Sequence, residues 1–427
     1  MIPNKINEIE QVKKIRGKTY HFLRWTERWT KTDMIYLTKG GFWLTVGQVI
    51  SSLSALILSI AFANLIPKEV YGNYKYILSI ASILTITTMG EINTALTRAI
   101  ARGYRGTLIY PMKVKIKWGI LGGLSSMGVA IYYFTNGNIH LTISFLICAV
   151  FLPIMDPLAI YNSFLNGRKL FKVYTRYNII SKIVSTFITI TILFFTKNLL
   201  LIIFSYFALN TIIRALILYI ISRKYEFSQE KDKEIISYGK HLTTMGIISA
   251  LAGQLDKIIT YHYLGAVELA IYSFAIAMPE QIKSVFKNIN TLAFPKFSEQ
   301  QEKEPDNNFL KKIAKYIFIT VFIFIAYVIS APFIYKIIFP QYTASIIYSQ
   351  IFALSLLAFP SGLLIMKLQS KKEKNKLYKF NLSISLIQIV LLFLFLKLWG
   401  LMGIILARVT IRFIALFLGI YLYIQKD

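Results

Sequence analysis

Acidic residues are scarce in this chain: 20 Asp and Glu stand against 48 Lys and Arg in 427 residues. All charged residues together make up 16% of the sequence, where a soluble domain carries about a quarter. Cysteine is nearly absent. The one thiol, Cys148, lies inside an apolar run, which excludes an intramolecular disulfide and any two-cysteine redox motif. Four histidines, His21, His140, His241 and His262, are scattered without metal-ligand spacing, so neither a metal nor a cofactor is expected. There is no glycine-rich phosphate loop of the Walker kind, and no connection long enough for a catalytic or nucleotide-binding domain.

What is present is apolar length. The sequence is 56% hydrophobic and 15% aromatic, with a mean hydropathy of +0.56. Runs of about 20 apolar residues, the length that spans a hydrocarbon core, recur along nearly the whole chain. They are continuous rather than alternating, which excludes a β-barrel. The expected fold is an all-α polytopic membrane protein. Twelve transmembrane helices are predicted at 41–65, 74–98, 116–135, 139–165, 174–196, 199–222, 241–264, 270–297, 313–334, 341–368, 377–397 and 400–424.

A net charge of +28 would point to nucleic acid in a soluble protein. The distribution here gives another account. The two tails and the connections after even-numbered helices hold 36 of the 48 Lys and Arg. The connections after odd-numbered helices, with their helix ends, hold only Lys68, Lys75, Lys197, Lys336 and Lys397. By the positive-inside rule both termini are cytoplasmic, and no nucleic-acid partner is expected.

Four segments follow. Residues 1–39 form a cytoplasmic tail, too long and too charged for a signal peptide. Within it Phe22, Trp25 and Trp29, flanked by Arg24 and Arg28, predict an interfacial amphipathic helix. Residues 40–222 form an N-lobe of helices 1–6, 223–240 a cytoplasmic interlobe linker, and 241–427 a C-lobe of helices 7–12. A shift of 199 residues brings Gly47, Ser51 and Ser54 onto Gly246, Ala250 and Gly253, a small-residue stripe that suits close helix packing. Six helices per half gives both lobes one orientation, with a midplane site between them.

Charges inside the predicted spans carry the functional argument. In the eighth, Glu280, Lys283, Lys287 and Asn290 share one helical face. A bare charge facing lipid costs roughly 2.5–3.5 kcal/mol on insertion scales, so this face must look into protein or water. Seven cations lie within the spans: Lys182, Arg214, Lys257, Lys283, Lys287, Arg408 and Arg412, with Arg98 near the cytoplasmic mouth. Only Glu91, Asp156, Asp256 and Glu280 can oppose them. Ion pairs such as Glu280 with Lys283 or Glu91 with Arg98 cannot absorb the set, and the surplus favours an anion site. Lys182 also reads as a side chain that snorkels to the inner interface. The four acids are candidates for coupling to an ion gradient, because burial makes a carboxyl protonatable. Asp256 reads equally as a structural partner of a cation on the facing lobe. Asp156, between Pro153 and Pro157, reads also as satisfying backbone groups that a kink frees.

Four stretches carry a resemblance. They are Lys31 to Trp43 (KTDMIYLTKGGFW), Leu65 to Gly72 (LIPKEVYG), Tyr161 to Phe171 (YNSFLNGRKLF), and Gln254 to Lys257 (QLDK) followed by Leu264 to Tyr272 (LGAVELAIY). With them the chain resembles the Wzx-type polysaccharide flippases of the multidrug/oligosaccharidyl-lipid/polysaccharide exporter superfamily. The resemblance spans essentially the whole chain. It implies two pseudo-symmetric six-helix lobes around a central cavity, in the cytoplasmic membrane of a prokaryote. It implies as cargo a polyprenyl-pyrophosphate-linked oligosaccharide, carried to the outer leaflet by alternating access.

The expected protein is therefore a transporter rather than an enzyme, without catalytic residues. Its partners would be the lipid-linked glycan, membrane lipid and the glycan polymerase or glycosyltransferase machinery, and it would act as a monomer. Two other readings compete. A lipid-linked glycan polymerase or ligase would typically carry a sizeable outer loop. A multidrug antiporter of the same superfamily would favour an acidic cavity. Cysteine labelling is expected to place residues 1–39, 223–240 and 371–379 in the cytoplasm. Labelling of any of these from outside would break the topology.

Overall fold

The computed structural model describes residues 34–104, 108–225, 227, 233–299, 307–370 and 374–424, and their side chains except at 34–40, 233, 285–299, 307–315, 366–370, 374 and 375. The predicted tail helix with Phe22, Trp25 and Trp29, and part of the 223–240 linker, lie outside the described residues. The described residues contain helices and no strand. In chain order these are α1 (Met34–Leu65), α2 (Lys68–Leu84), α3 (Ile92–Ala101), α4 (Ile109–Thr135), α5 (Ile139–Met155), α6 (Tyr161–Gly167) and α7 (Phe171–Phe195). After them come α8 (Leu199–Lys224), α9 (Lys233–Leu264), α10 (Ala266–Glu299), α11 (Asn307–Ile338), α12 (Ser345–Ala353), α13 (Ser361–Ser370) and α14 (Lys374–Ile424). They make twelve crossings. α2 with α3, α5 with α6, and α12 with α13 each form one broken span, and α14 folds back to form two.

The breaks have local causes. Between α2 and α3, the Thr85, Thr87 and Thr88 hydroxyls donate to the carbonyls of Ser82, Leu84 and Thr85. Such back-bonding competes with the helix ladder. Met89 then adopts a left-handed φ of 53°, and the span bends by 52°. Between α5 and α6, Pro153 and Pro157 remove two backbone donors, and a short 3₁₀ turn, Pro157–Ile160, takes over. In α14 the reversal falls at Trp399–Gly400. Gly400 has φ +55°, which favours a residue without a Cβ.

Among the described residues seven helical stretches, with the bent α2–α3 pair as an eighth, are long and apolar enough to cross a membrane. One of the seven, Lys376–Ile424, contains both limbs of α14. The crossings missing from that set are α4, diluted by glycine and serine, and α9 and α10, which carry the charges at issue.

Each lobe repeats one packing scheme. In the first half α1 lies on α7, α4 on α5 and α5 on α8. In the second, α9 lies on the first limb of α14 and α11 on α12, while Phe352 of α12 meets Arg412 of the second limb. The lobes meet where α2 contacts α9 and α10, and where α1 contacts α10.

At the end that the charge count assigns to the outside, aromatic rings fill this junction. Tyr71 lies 4.8 Å from Phe274 between ring centroids, and Phe274 lies 4.0 Å from Tyr342. Tyr76 stacks on Tyr261 at 3.9 Å, and the Tyr261 hydroxyl donates to Asn73 at 2.7 Å. Asn64 donates to the carbonyl of Ile338 at 3.1 Å. Gly72 allows the closest approach, since a Cβ there would stand 1.8 Å from the carbonyl oxygen of Ala266. At the opposite end α3 meets α9, with Arg98 donating to the Tyr238 hydroxyl at 3.0 Å.

The aligned small-residue stripes do not play one role. A Cβ on Gly47 would come within 2.9 Å of Thr175, so α1 is closely packed there. Gly246 and Gly253 have nothing within 4 Å. The contact of α9 with α14 is made beside these glycines, with Ser249 3.0 Å from Ser385 and Gln388 donating to Ala252.

Gly72→Val is expected to wedge the lobes apart at the aromatic end. Overpacking typically costs about 1–3 kcal/mol, which shifts a two-state equilibrium roughly 5- to 150-fold. Spin labels at Asn64 and Gln341 should move apart in the variant. An unchanged distance distribution would show that this contact does not hold the junction closed.

Candidate functional site

The C-lobe brings most of the sequence-predicted charges into one cluster. α9 supplies Asp256 and Lys257, α10 supplies Tyr272, Glu280 and Lys283, and the second limb of α14 supplies Arg408 and Arg412. The two arginines are i, i+4, so one helical face presents both. Asp256 is 1% exposed and is gripped from two sides. The Tyr272 hydroxyl donates to its Oδ2, and Arg408 Nε lies 3.4 Å from the same oxygen. Its other oxygen, Oδ1, has no hydrogen-bond partner. The sequence left Asp256 open to a cation of the facing lobe. The cation is instead Arg408 of its own lobe, because α9 packs against α14.

Arg412 acts as a fork. One amine donates to Ser355 Oγ at 2.6 Å, in the turn that follows α12, and the other pairs with Glu280. Its guanidinium also lies 4.7 Å from the Phe352 ring centroid, a cation–π contact. Lys283 approaches the second oxygen of Glu280 at 3.6 Å and is 41% exposed. Lys257 donates to the Gln254 amide at 2.9 Å, and Gln254 reaches Ser82 of the N-lobe at 3.3 Å. Lys257 lies within Coulombic reach of Asp256, Lys75, Arg408 and Glu280. Four cations therefore share two carboxylates. Lys287, with Asn290, has a side chain outside the described residues.

The N-lobe holds a second, smaller network. Asp156 accepts from Thr88 at 2.7 Å and pairs with Lys115 at 3.0 Å. Lys115 is completely buried and donates also to Asn93 at 3.1 Å. Asp156 is thus a charge partner, where the sequence also offered a carboxylate that satisfies kinked backbone. The carbonyl freed at this break, that of Met155, accepts from Arg214 at 2.9 Å. Arg214 and Arg412 accordingly do one job in the two halves: each holds the broken segment of a neighbouring span. Glu91 and Arg98 do not form the pair their spacing suggested. Glu91 accepts from Thr94 at 2.7 Å, and Arg98 turns to Tyr238.

Lys115 and Tyr272 were missed. Lys115 sits between Lys113 and Lys117 and read as part of a cytoplasmic basic run. Its helical register carried the signal, because it shares a face with Gly119, Gly122 and Ser126, all buried. Among the described residues no group of His, Cys, Asp and Glu could hold a metal ion.

The family described as "Polysaccharide biosynthesis protein" matches residues 37–301. A comparison with curated proteins by sequence gives no match. Solved structures share the fold. The lipid II flippase MurJ in an inward closed conformation has a TM-score of 0.69 at 14% identity, covering 88% of this chain and 86% of that one. A multidrug resistance MATE family transporter of the MOP superfamily, outward-facing, has 0.62 at 12%, covering 90% and 94%. A MOP superfamily transporter from Pyrococcus furiosus, for which a reverse polarity of the binding pocket is said to suggest a different function, has 0.60 at 12%, covering 90% and 94%.

Breaking the Lys115–Asp156 pair should destabilise the N-lobe. Removing one member of a buried pair costs roughly 3–5 kcal/mol, whereas replacing both by apolar residues is often neutral. Lys115→Met is expected to lower the unfolding temperature in detergent, and Lys115→Met with Asp156→Leu to restore most of it. Equal losses in the single and double variants would remove the pair from the stability account.

Proposed function

Because the chain belongs to the polysaccharide biosynthesis protein family, we propose that it is a flippase for a polyprenyl-pyrophosphate-linked oligosaccharide, moving it from the inner to the outer leaflet. The observation that carries this reading is the cation surplus in the C-lobe cluster. Among the described residues, Arg408, Arg412, Lys257 and Lys283 share only Asp256 and Glu280. A diphosphate supplies the missing negative charge, with oxygens suited to forked contact from arginine and point contact from lysine.

Unaided flipping is slow because pyrophosphate and sugar must leave water. A charged, polar path between the lobes substitutes for that water while the polyprenyl tail stays in lipid. Glu280 has a defined part in this scheme. It holds Arg412 and Lys283 in position while the site is free, and yields them to the diphosphate. The aromatic junction closes the outer end during loading and opens for release, as alternating access requires. Both termini are then cytoplasmic in a prokaryotic cytoplasmic membrane, and an ion gradient or the membrane potential drives the cycle. Asp256, already engaged by Arg408 and Tyr272, is a weaker coupling candidate than the more open Glu280. A multidrug antiporter would call for the opposite charge balance.

Lys283→Ala should slow flipping about ten- to a hundredfold, the equivalent of one charge-assisted hydrogen bond. Lys283→Arg should keep most of the activity. The assay is the fraction of lipid-linked glycan that external glycosidase reaches in reconstituted vesicles over time. Wild-type rates in both Lys283→Ala and Arg412→Gln would falsify the anion site.

A further inference from the structure

A cavity of about 310 Å³ lies between α1 and α7 in the N-lobe. The lining from α1 comes chiefly from Thr45, Gln48 and Ser51, and that from α7 from Tyr174, Thr175, Asn178 and Lys182. Two membrane helices here turn polar faces to each other and leave a gap. In hydrocarbon such faces need bonded partners, water or a ligand. Thr175 is 1% exposed, and its hydroxyl has no hydrogen-bond partner. Asn178 spends its amide on the carbonyl of Tyr174 at 3.1 Å. Leu44, two glycines and the Tyr174 ring give the lining apolar surface, to which hydroxyls, amides and one ammonium are added, and among the described residues it holds no carboxylate.

A chain of side-chain contacts leads from this cavity across the lobe junction to α10, the helix that carries Lys283. Gln48, which lines it, donates to Ser52 at 3.5 Å, and Ser52 lies 3.2 Å from Ser284 of α10. Ser284 directly follows Lys283. The cavity and Lys283 thus stand on helices that touch, α1 and α10. We propose that the α1–α7 cavity is a sugar subsite, which takes a monosaccharide unit of the glycan next to the diphosphate. The inference rests on the flippase reading and adds a division of labour: the C-lobe recognises charge and the N-lobe recognises hydroxyls. The volume is at the lower end for a small-molecule pocket, about 300–1,000 Å³, which suits a single ring rather than a whole repeat unit. Lys182 then serves the sugar's hydroxyls, or a carboxylate on it, rather than the lipid interface.

The test is binding to the purified full-length protein. One probe is undecaprenyl pyrophosphate. The other is the lipid-linked glycan extracted from the cells that make the protein. Wild type should bind the glycan form more tightly. Thr175→Val and Asn178→Leu should each reduce that preference, by about tenfold for a lost hydrogen bond with its partner left unpaired, while binding undecaprenyl pyrophosphate as before. Lys283→Ala should weaken both probes alike. If wild type binds the two probes equally, or if both N-lobe variants keep the wild-type preference, the sugar subsite is overturned and the anion site stands. If wild type binds neither probe, the flippase reading fails and the subsite fails with it.

Discussion

The grip on Asp256 is the contact around which the C-lobe is arranged. A carboxylate with 1% exposure cannot stay charged in a membrane interior without compensation. Its partners come from two other helices, Tyr272 on α10 and Arg408 on α14, so one residue ties three spans together. Arg412, one turn beyond Arg408, then reaches Glu280 and the turn at Ser355. The placement of the two arginines follows from these pairings. The N-lobe meets the same requirement with different residues, through Lys115 and Asp156.

The two halves show how a repeat diverges. The mirrored arginines keep the broken spans in place, which is a structural duty that both lobes need. In the C-lobe that arginine, Arg412, also pairs with an acid that it shares with the half-exposed Lys283. The small-residue stripes have parted in the same way: Gly47 packs closely on Thr175 while Gly246 and Gly253 look into open space. The hold on the broken spans is retained, and the close packing of the small-residue stripe is not.

Most of the architecture was legible in the sequence, because span length, turn position and the bias of Lys and Arg are one-dimensional signals. The expected limit at 397–400 falls at the observed reversal at Trp399–Gly400. Side-chain pairing was less legible. The i, i+3 spacing pointed to Glu280 with Lys283, which do meet, but gave no sign that Arg412 would hold Glu280 more closely. Contacts between helices depend on rotation about each axis, and charge spacing along one helix does not encode it. Lys115 shows the same limit, since its run of alternating lysines hid the helical face that buries it.

The aromatic junction between the lobes has a consequence for the energy of opening. It is made largely of tyrosines, Tyr71, Tyr76, Tyr261 and Tyr342, with Phe274 among them, and the hydroxyls of Tyr76 and Tyr261 are bonded to Tyr133 and Asn73 at 2.7 Å. An aliphatic seam would have to present bare hydrocarbon to water whenever it parted. Tyrosine rings are amphipathic and are at home at a membrane–water boundary. Only Tyr76 and Tyr261 stack flat among these pairs, while Tyr71, Phe274 and Tyr342 meet at tilted or edge-on angles. In the proposed cycle, where the lobes part at this junction, the faces they expose are already suited to the wet surface they would meet.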